Sequence, residues 1–187
     1  MHTADTALIV IDVQESFRHR PYWDEAPIPR FLERLQALID GAQAAGLPIA
    51  QVFHVDSEGP FAPATGHVRT LEGLRIDADA VFRKSRHSAL VGSDLGTWLT
   101  GRGIRRVIVA GIRTEQCCET TARHASDLGY AVDFVTEATL TFAMADRHGR
   151  RWDADAIAAR TELVLADRFA RIVGVSEALA GSIARAA

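Results

Sequence analysis

Two hydrophobic patterns alternate along this chain. Residues 7–11 (Ala-Leu-Ile-Val-Ile) and 107–110 (Val-Ile-Val-Ala) are unbroken apolar runs, the signature of strands covered on both faces. Residues 47–53, 81–84, 130–135 and 169–173 are four further strand candidates, each with β-branched or aromatic positions. Between these runs the repeat lengthens to three and four. Phe31, Leu35, Leu38, Ile39 and Ala42 form one stripe over residues 30–45 with Gly46 behind it, which predicts an amphipathic helix and its stop. Residues 94–101 point Leu95, Trp98 and Leu99 inward, residues 153–166 begin on Asp153, and Ser176 with Glu177 opens a terminal helix. Strands separated by helices imply right-handed crossovers, and hence a three-layer α/β/α architecture around a six-stranded parallel sheet. At 187 residues the chain is expected to form a single domain, 1–187, with a sizeable core.

The segment after the second apolar run carries the clearest chemistry. Over residues 114–128, Thr114 is expected to cap a helix, Glu115 to sit well in its first turn and Gly129 to close it. Cys118, Thr121, Ala122, Ala125 and Leu128 fall on its buried face. Cys117 lies in the first turn, where unpaired N–H groups and the positive end of the helix dipole favour a thiolate. Neighbouring helical residues point about 100° apart, so only one of the two cysteines faces a given crevice. Cys118, on the Ala122 side, reads as a small buried hydrophobe. Cys117 reads either as a presented nucleophile or as a second inert buried thiol.

Composition narrows the function. With 48% apolar residues, 24% charged residues and a net charge of -3, the chain is an ordinary soluble globule without a basic patch for nucleic acid. No apolar run approaches the ~18 residues of a membrane span, and from the N-terminal residues no export signal is expected. Two adjacent cysteines make no disulfide framework, so a cytoplasmic, reduced setting is expected. There is no G-x-G-x-x-G or phosphate loop, so no cofactor is expected, and no G-x-S-x-G elbow.

Other polar residues sit where strands end. Asp12 follows the first strand, at the side where open α/β sheets bind ligands; it is also a natural turn residue. Lys84 ends the third strand, where a lone lysine reads as a solvated charge; Arg86 and His87 are expected on the surface, a place in the site being the alternative. Residues 21–29 form a proline-rich loop whose Trp23 is read as a cover for the site or as a surface aromatic. Residues 55–79 make a long aperiodic loop, expected to be part of the substrate wall. His54, Asp56 and His67 are the one possible metal cluster, set against a reading as strand-end polar residues. Thr139, Thr141 and Phe142 follow the fifth strand toward the same side.

The run G-I-R-T-E-Q-C-C-E-T-T-A followed by Gly129-Tyr130, with D-V-Q-E-S-F at residues 12–17, resembles the isochorismatase-like cysteine hydrolases, which include nicotinamidases and N-carbamoylsarcosine amidases. The resemblance covers nearly the whole chain. It implies that Cys117, the sixth residue after Gly111, is the nucleophile, that Asp12 is the general acid/base and that Phe17 lines the pocket. Gln14 is either a pocket residue or a hydrogen-bond partner of the loop. Lys84 with Ser88-Ala89-Leu90 matches a further family motif, Leu90 standing where a phenylalanine is usual and reshaping the pocket. The resemblance also implies a cis peptide between Ile112 and Arg113, an oxyanion hole of the Arg113 and Cys117 N–H groups, and strand order 3-2-1-4-5-6. For Cys117 to keep its N–H for substrate, the Thr114 cap is expected to serve Gln116. A homo-oligomer, dimer or tetramer, is implied. The Asp-x-His metal motif of nicotinamidases is absent, so no metal is expected. The activity so implied is thioester-mediated hydrolysis of a C–N bond in a small amide, ureide or lactam. Ether hydrolysis of the isochorismatase type, or a non-catalytic thiol redox or binding protein, is the alternative.

Overall fold

In the computed structural model, which describes the backbone of residues 5–186 and the side chains of 5–180, the first apolar run forms β1 (Thr6–Ile11), buried at every position. Its residues alternate between two cores. Leu8 and Val10 face one side with Phe31, Leu35, Leu38 and Ile39, while Ala7, Ile9 and Ile11 face the other with Leu95, Leu99, Ala122 and Ala125. A strand flanked twice by apolar layers has no solvent face, which is why its pattern is continuous rather than alternating.

The remaining strands are β2 (Ile49–His54), β3 (Ala80–Lys84), β4 (Arg106–Ile112), β5 (Ala131–Leu140), β6 (Met144–Ala145), β7 (Arg151–Trp152) and β8 (Arg171–Ile172). Six of them form one parallel sheet in the order β3-β2-β1-β4-β5-β8, so the sixth strand of the expected 3-2-1-4-5-6 order is β8. Helices α1 (Ile28–Ala44) and α5 (Val175–Ala186) lie on one side, and α2 (Leu95–Gly101), α3 (Glu119–Asp127) and the end of α4 (Ala154–Leu165) on the other. Asp153 caps α4 as expected, accepting from the Ala156 N–H at 2.7 Å.

Four features depart from the pattern in the sequence. The fifth strand does not leave the sheet at residue 136. After an irregularity it returns, with Thr139 beside Gly111 and Leu140 beside Ile112, as a bulged strand does when its partner changes direction. The sixth strand shrinks from five residues to the pair Arg171–Ile172. Leu128 is 57% exposed rather than buried, because α3 ends at Asp127 and the chain turns, Gly129 N–H bonding Ser126 O at 2.9 Å. The antiparallel β6–β7 ribbon has no counterpart in the expected elements, since two-residue strands show no periodicity. Among the described residues no helix is long and apolar enough to cross a membrane.

β1 and β4 lie side by side, in register from Thr6–Arg106 to Ile11–Gly111. At Gly111 the backbone has φ +129°, and a Cβ there would run into the Ile11 backbone carbonyl. Only glycine combines that conformation with so close an approach. Beyond this pair the chain diverges, and the crevice at the topological switch point opens.

Candidate active site

Three buried side chains meet at this crevice, each delivered by the end of a different strand. Asp12 follows β1 with φ +54°, a left-handed conformation that aspartate tolerates better than most residues. Its N–H is held by Val52 O at 2.8 Å, and its side chain is fully buried. Lys84 ends β3, two strands away from β1, or ~9.5 Å at the ~4.8 Å spacing of a sheet. Only a long side chain spans that gap, and Lys84 does so, its Nζ 2.7 Å from Asp12 Oδ2. Cys117 follows β4 through the cis peptide Ile112–Arg113 that the resemblance implied.

The turn that presents Cys117 is wider than an α-helical one. The Cys118 N–H reaches back five residues to Arg113 O at 3.2 Å, and Gln116 N–H shares that carbonyl at 3.2 Å. Residues Thr114–Cys118 therefore form one π-helical turn before α3, a feature that often accompanies functional sites. This corrects the capping expectation. Thr114 is already inside the turn, and its hydroxyl lies 2.8 Å from that of Thr139 on β5, so Gln116 is served by a backbone carbonyl instead. Thr121 Oγ1 donates to Cys117 O at 2.6 Å and accepts from Ala89 N–H at 2.9 Å. The loop after Lys84 is thereby tied to the helix that carries the cysteine.

The ammonium of Lys84 also reaches Cys117 Sγ at 3.4 Å and His54 Nδ1 at 3.1 Å. Burial pushes the Asp12 carboxyl above its usual range, and the neighbouring Lys84 offsets this in part. Burial and the charge of Asp12 push the Cys117 thiol up as well. Burial thus opposes the thiolate preference expected from the helix N-terminus. A helix N-terminus contributes about 0.3–1 kcal/mol at an ordinary site, less than the ~1.4 kcal/mol that moves a pKa by one, and desolvation of a nearly buried sulfur outweighs it.

A cavity of about 190 Å³ opens onto Asp12 and Cys117, walled by Phe17, Tyr22, Phe61, His54, Asp56, His87, Gln116 and Arg20. Phe17 stands where the resemblance places it, His54 enters the wall from the end of β2, and Phe61 and Asp56 bring the long loop into the wall as expected. Gln14 does not line the cavity: it is buried and clamps His54, accepting from its N–H at 2.8 Å and donating to its carbonyl at 3.0 Å. Trp23 and Phe142 line a separate cavity of about 550 Å³, which shares Tyr22 with the first. The two rings lie 5.3 Å apart. Trp23 donates to Glu25 at 2.8 Å, which turns it from the crevice. Leu90 packs into the α2 side of the core, away from the cavity. His87 was expected at the surface and is exposed, yet its Nδ1 comes within 3.8 Å of Cys117 Sγ. Arg20 and Tyr22 have no motif to mark them, and Gln116 lies inside the motif around Cys117 without a pocket role assigned to it. Tyr22 is fixed by the Arg113 guanidinium, 4.8 Å from its ring, and Arg113 in turn pairs with Glu115 at 2.9 Å.

The metal cluster suggested by His54, Asp56 and His67 does not assemble. His54 Nε2 is 3.2 Å from Asp56 Oδ1, but His67 stacks on His19 at 3.7 Å. Among the described residues the group with metal-ligand spacing is Asp12, His54 and Cys117, whose donor atoms lie within 4.8 Å of one another. The Lys84 ammonium is hydrogen-bonded to all three, so these donors already share a cation.

The chain thus presents a parallel α/β sheet with a buried Asp–Lys–Cys cluster at its switch point. Comparison with known proteins places it in a family. The sequence matches the Isochorismatase domain over residues 6–165, and the chain belongs to that family of hydrolases. It is 27% identical over 171 residues to the isochorismatase family protein YrdC of Bacillus subtilis, covering 89% of this chain and 90% of that one. It is 26% identical over 176 residues to the ureidoacrylate amidohydrolase RutB of Variovorax paradoxus, covering 74% and 70%. The crystal structure of an isochorismatase from Pseudomonas putida superposes with a TM-score of 0.84 at 26% identity, over 95% of this chain and 91% of that one.

Proposed function

We propose that this protein is a cysteine-dependent hydrolase that cleaves a C–N bond of a small amide, ureide or lactam through a thioester. The carrying observation is the buried Lys84 ammonium bonded to both Asp12 (2.7 Å) and Cys117 (3.4 Å), the two of which line the cavity. Asp12 takes the thiol proton as the sulfur bonds to the carbonyl carbon, whose oxygen becomes an oxyanion held by the Arg113 and Cys117 N–H groups. The adduct collapses, the C–N electron pair leaves with nitrogen, and Asp12 returns the proton to it. Water then attacks the thioester while Asp12 takes its proton. The C–S bond breaks, the acid departs and the proton goes back to sulfur.

Size and similarity support the substrate class. A cavity of about 190 Å³ is smaller than the ~300–1,000 Å³ of drug-sized sites, and the Variovorax relative is an amidohydrolase. Ether hydrolysis draws support from the likeness to the Pseudomonas isochorismatase, but leaves the buried thiol without a task. A panel of primary amides, N-carbamoyl compounds and lactams decides between them. We expect ammonia or amine release by wild type and by Cys118→Val, and none by Cys117→Ala. Equal loss in both folded cysteine variants, or vinyl-ether cleavage indifferent to Cys117→Ala, overturns the proposal.

A further inference from the structure

We infer that His54, backed by Asp56, is a positioning residue that orients the Lys84 ammonium toward Asp12 and Cys117. The inference deepens the cysteine-hydrolase reading and rests on it for the chemistry served. An ammonium has three N–H donors and no acceptor. Around Lys84 Nζ lie three acceptors: Asp12 Oδ2 at 2.7 Å, His54 Nδ1 at 3.1 Å and Cys117 Sγ at 3.4 Å. The Lys84 side chain is fully buried, so these three partners complete its shell. His54 and Lys84 are register partners across β2 and β3, which sends their side chains out together at the sheet end.

The tautomer follows from the same contacts. Since the ammonium donates into Nδ1, that nitrogen carries no hydrogen, and the neutral ring holds its proton on Nε2. Asp56 Oδ1 lies 3.2 Å from Nε2 and accepts a hydrogen bond from it. The backbone of His54 is clamped by Gln14 through both its N–H and its carbonyl. Phe61 meets the ring edge-on, centroids 5.6 Å apart. Position, face and tautomer are therefore all fixed, an arrangement that an idle strand-end histidine does not require. When the proton moves from Cys117 to Asp12, negative charge moves the other way, onto sulfur. His54 holds the ammonium between the two; without it the cation settles on Asp12, the shorter bond, and the sulfur loses its donor.

Alkylation of Cys117 by iodoacetamide, assigned by peptide fragmentation that separates it from the adjacent Cys118, reads this without a known substrate. Relative to wild type, His54→Leu is expected to slow alkylation roughly 10- to 100-fold, the scale of one hydrogen bond to a charged group. In His54→Asn the Oδ1 stands where Nδ1 stood and restores most of the rate, although the link to Asp56 is gone. Asp56→Ala, which frees the tautomer, falls between them, and all three variants melt cooperatively. On a substrate from the amide panel the His54→Leu loss appears in kcat, with KM nearly unchanged. His54→Leu alkylating within about twofold of wild type, no rescue by His54→Asn, or a loss confined to KM overturns the inference. A panel with no turnover by wild type defeats the hydrolase reading instead, while the alkylation series still judges His54.

Discussion

In the proposed reaction Asp12 gives up and holds a proton within one turnover, and its surroundings set how. Burial raises its carboxyl, Lys84 opposes that rise, and the adjacent thiol is raised too. Both groups then prefer their neutral forms, yet the lone buried ammonium demands one anion. In the proposed reaction the proton passes between the two groups within this pair. Asp12→Asn keeps the shape and a hydrogen-bond acceptor but removes the proton shuttle. We expect kcat to fall by ~10² to 10⁴, the usual scale for losing general acid/base help, and Cys117 alkylation to slow in parallel. Profiles of kcat/KM against pH for both proteins supply the measurement. A variant that keeps kcat within a few-fold of wild type would show that Asp12 only orients the substrate.

At the scale of elements the site depends on β1 and β4 running in contact to their last residues. Gly111 permits this, since its φ of +129° and its contact with the Ile11 carbonyl exclude any side chain. Gly111→Ala is therefore expected to destabilise by more than the ~1–2 kcal/mol that left-handed backbone costs alone. Gly46→Ala, at φ +67° with open space around it, is expected to show that smaller cost. Thermal melts of the two variants compare them, and equal shifts would mean that β4 yields without harm. The same strands explain what the sequence makes legible. Runs such as Val107 to Ala110, with no solvent face, leave little choice but a central strand, and so fix the positions of Asp12 and Cys117. Residues whose partners are distant in the chain are less legible. Lys84 looks like a solvated strand-end charge until the sheet order lays it across two strands, and only the family motif marks it beforehand. Thr114 has the local pattern of a cap, but β5 offers it Thr139. His87 is exposed and still reaches the sulfur, a contact set by how Thr121 and His124 tie its loop to α3. Trp23 and Phe142, both plausible pocket aromatics, prefer each other.

For the whole molecule, the two buried thiols tie stability to pH on the alkaline side. Cys117 and Cys118 are both raised above the ordinary thiol value of 9.0, chiefly by burial. Below about pH 8 the folded and unfolded chains both hold these protons, and the thiols add no pH dependence. Above about pH 9 the unfolded thiols ionise while the folded ones do not. The native state then binds more protons, ν_U − ν_N is negative, and stability falls as pH rises. Each thiol contributes up to about 1.4 kcal/mol per pH unit over that window. Other groups titrate there as well, but they are common to wild type and variant, so the difference between the two isolates the thiol. Cys118→Val, which replaces a fully buried thiol by an apolar side chain of similar size, is expected to flatten the decline by that amount between about pH 9 and about pH 11. Urea unfolding under reducing conditions across this range provides the free energies. Parallel declines for wild type and Cys118→Val would mean that the folded thiol ionises as readily as the unfolded one, and that this side of α3 admits water.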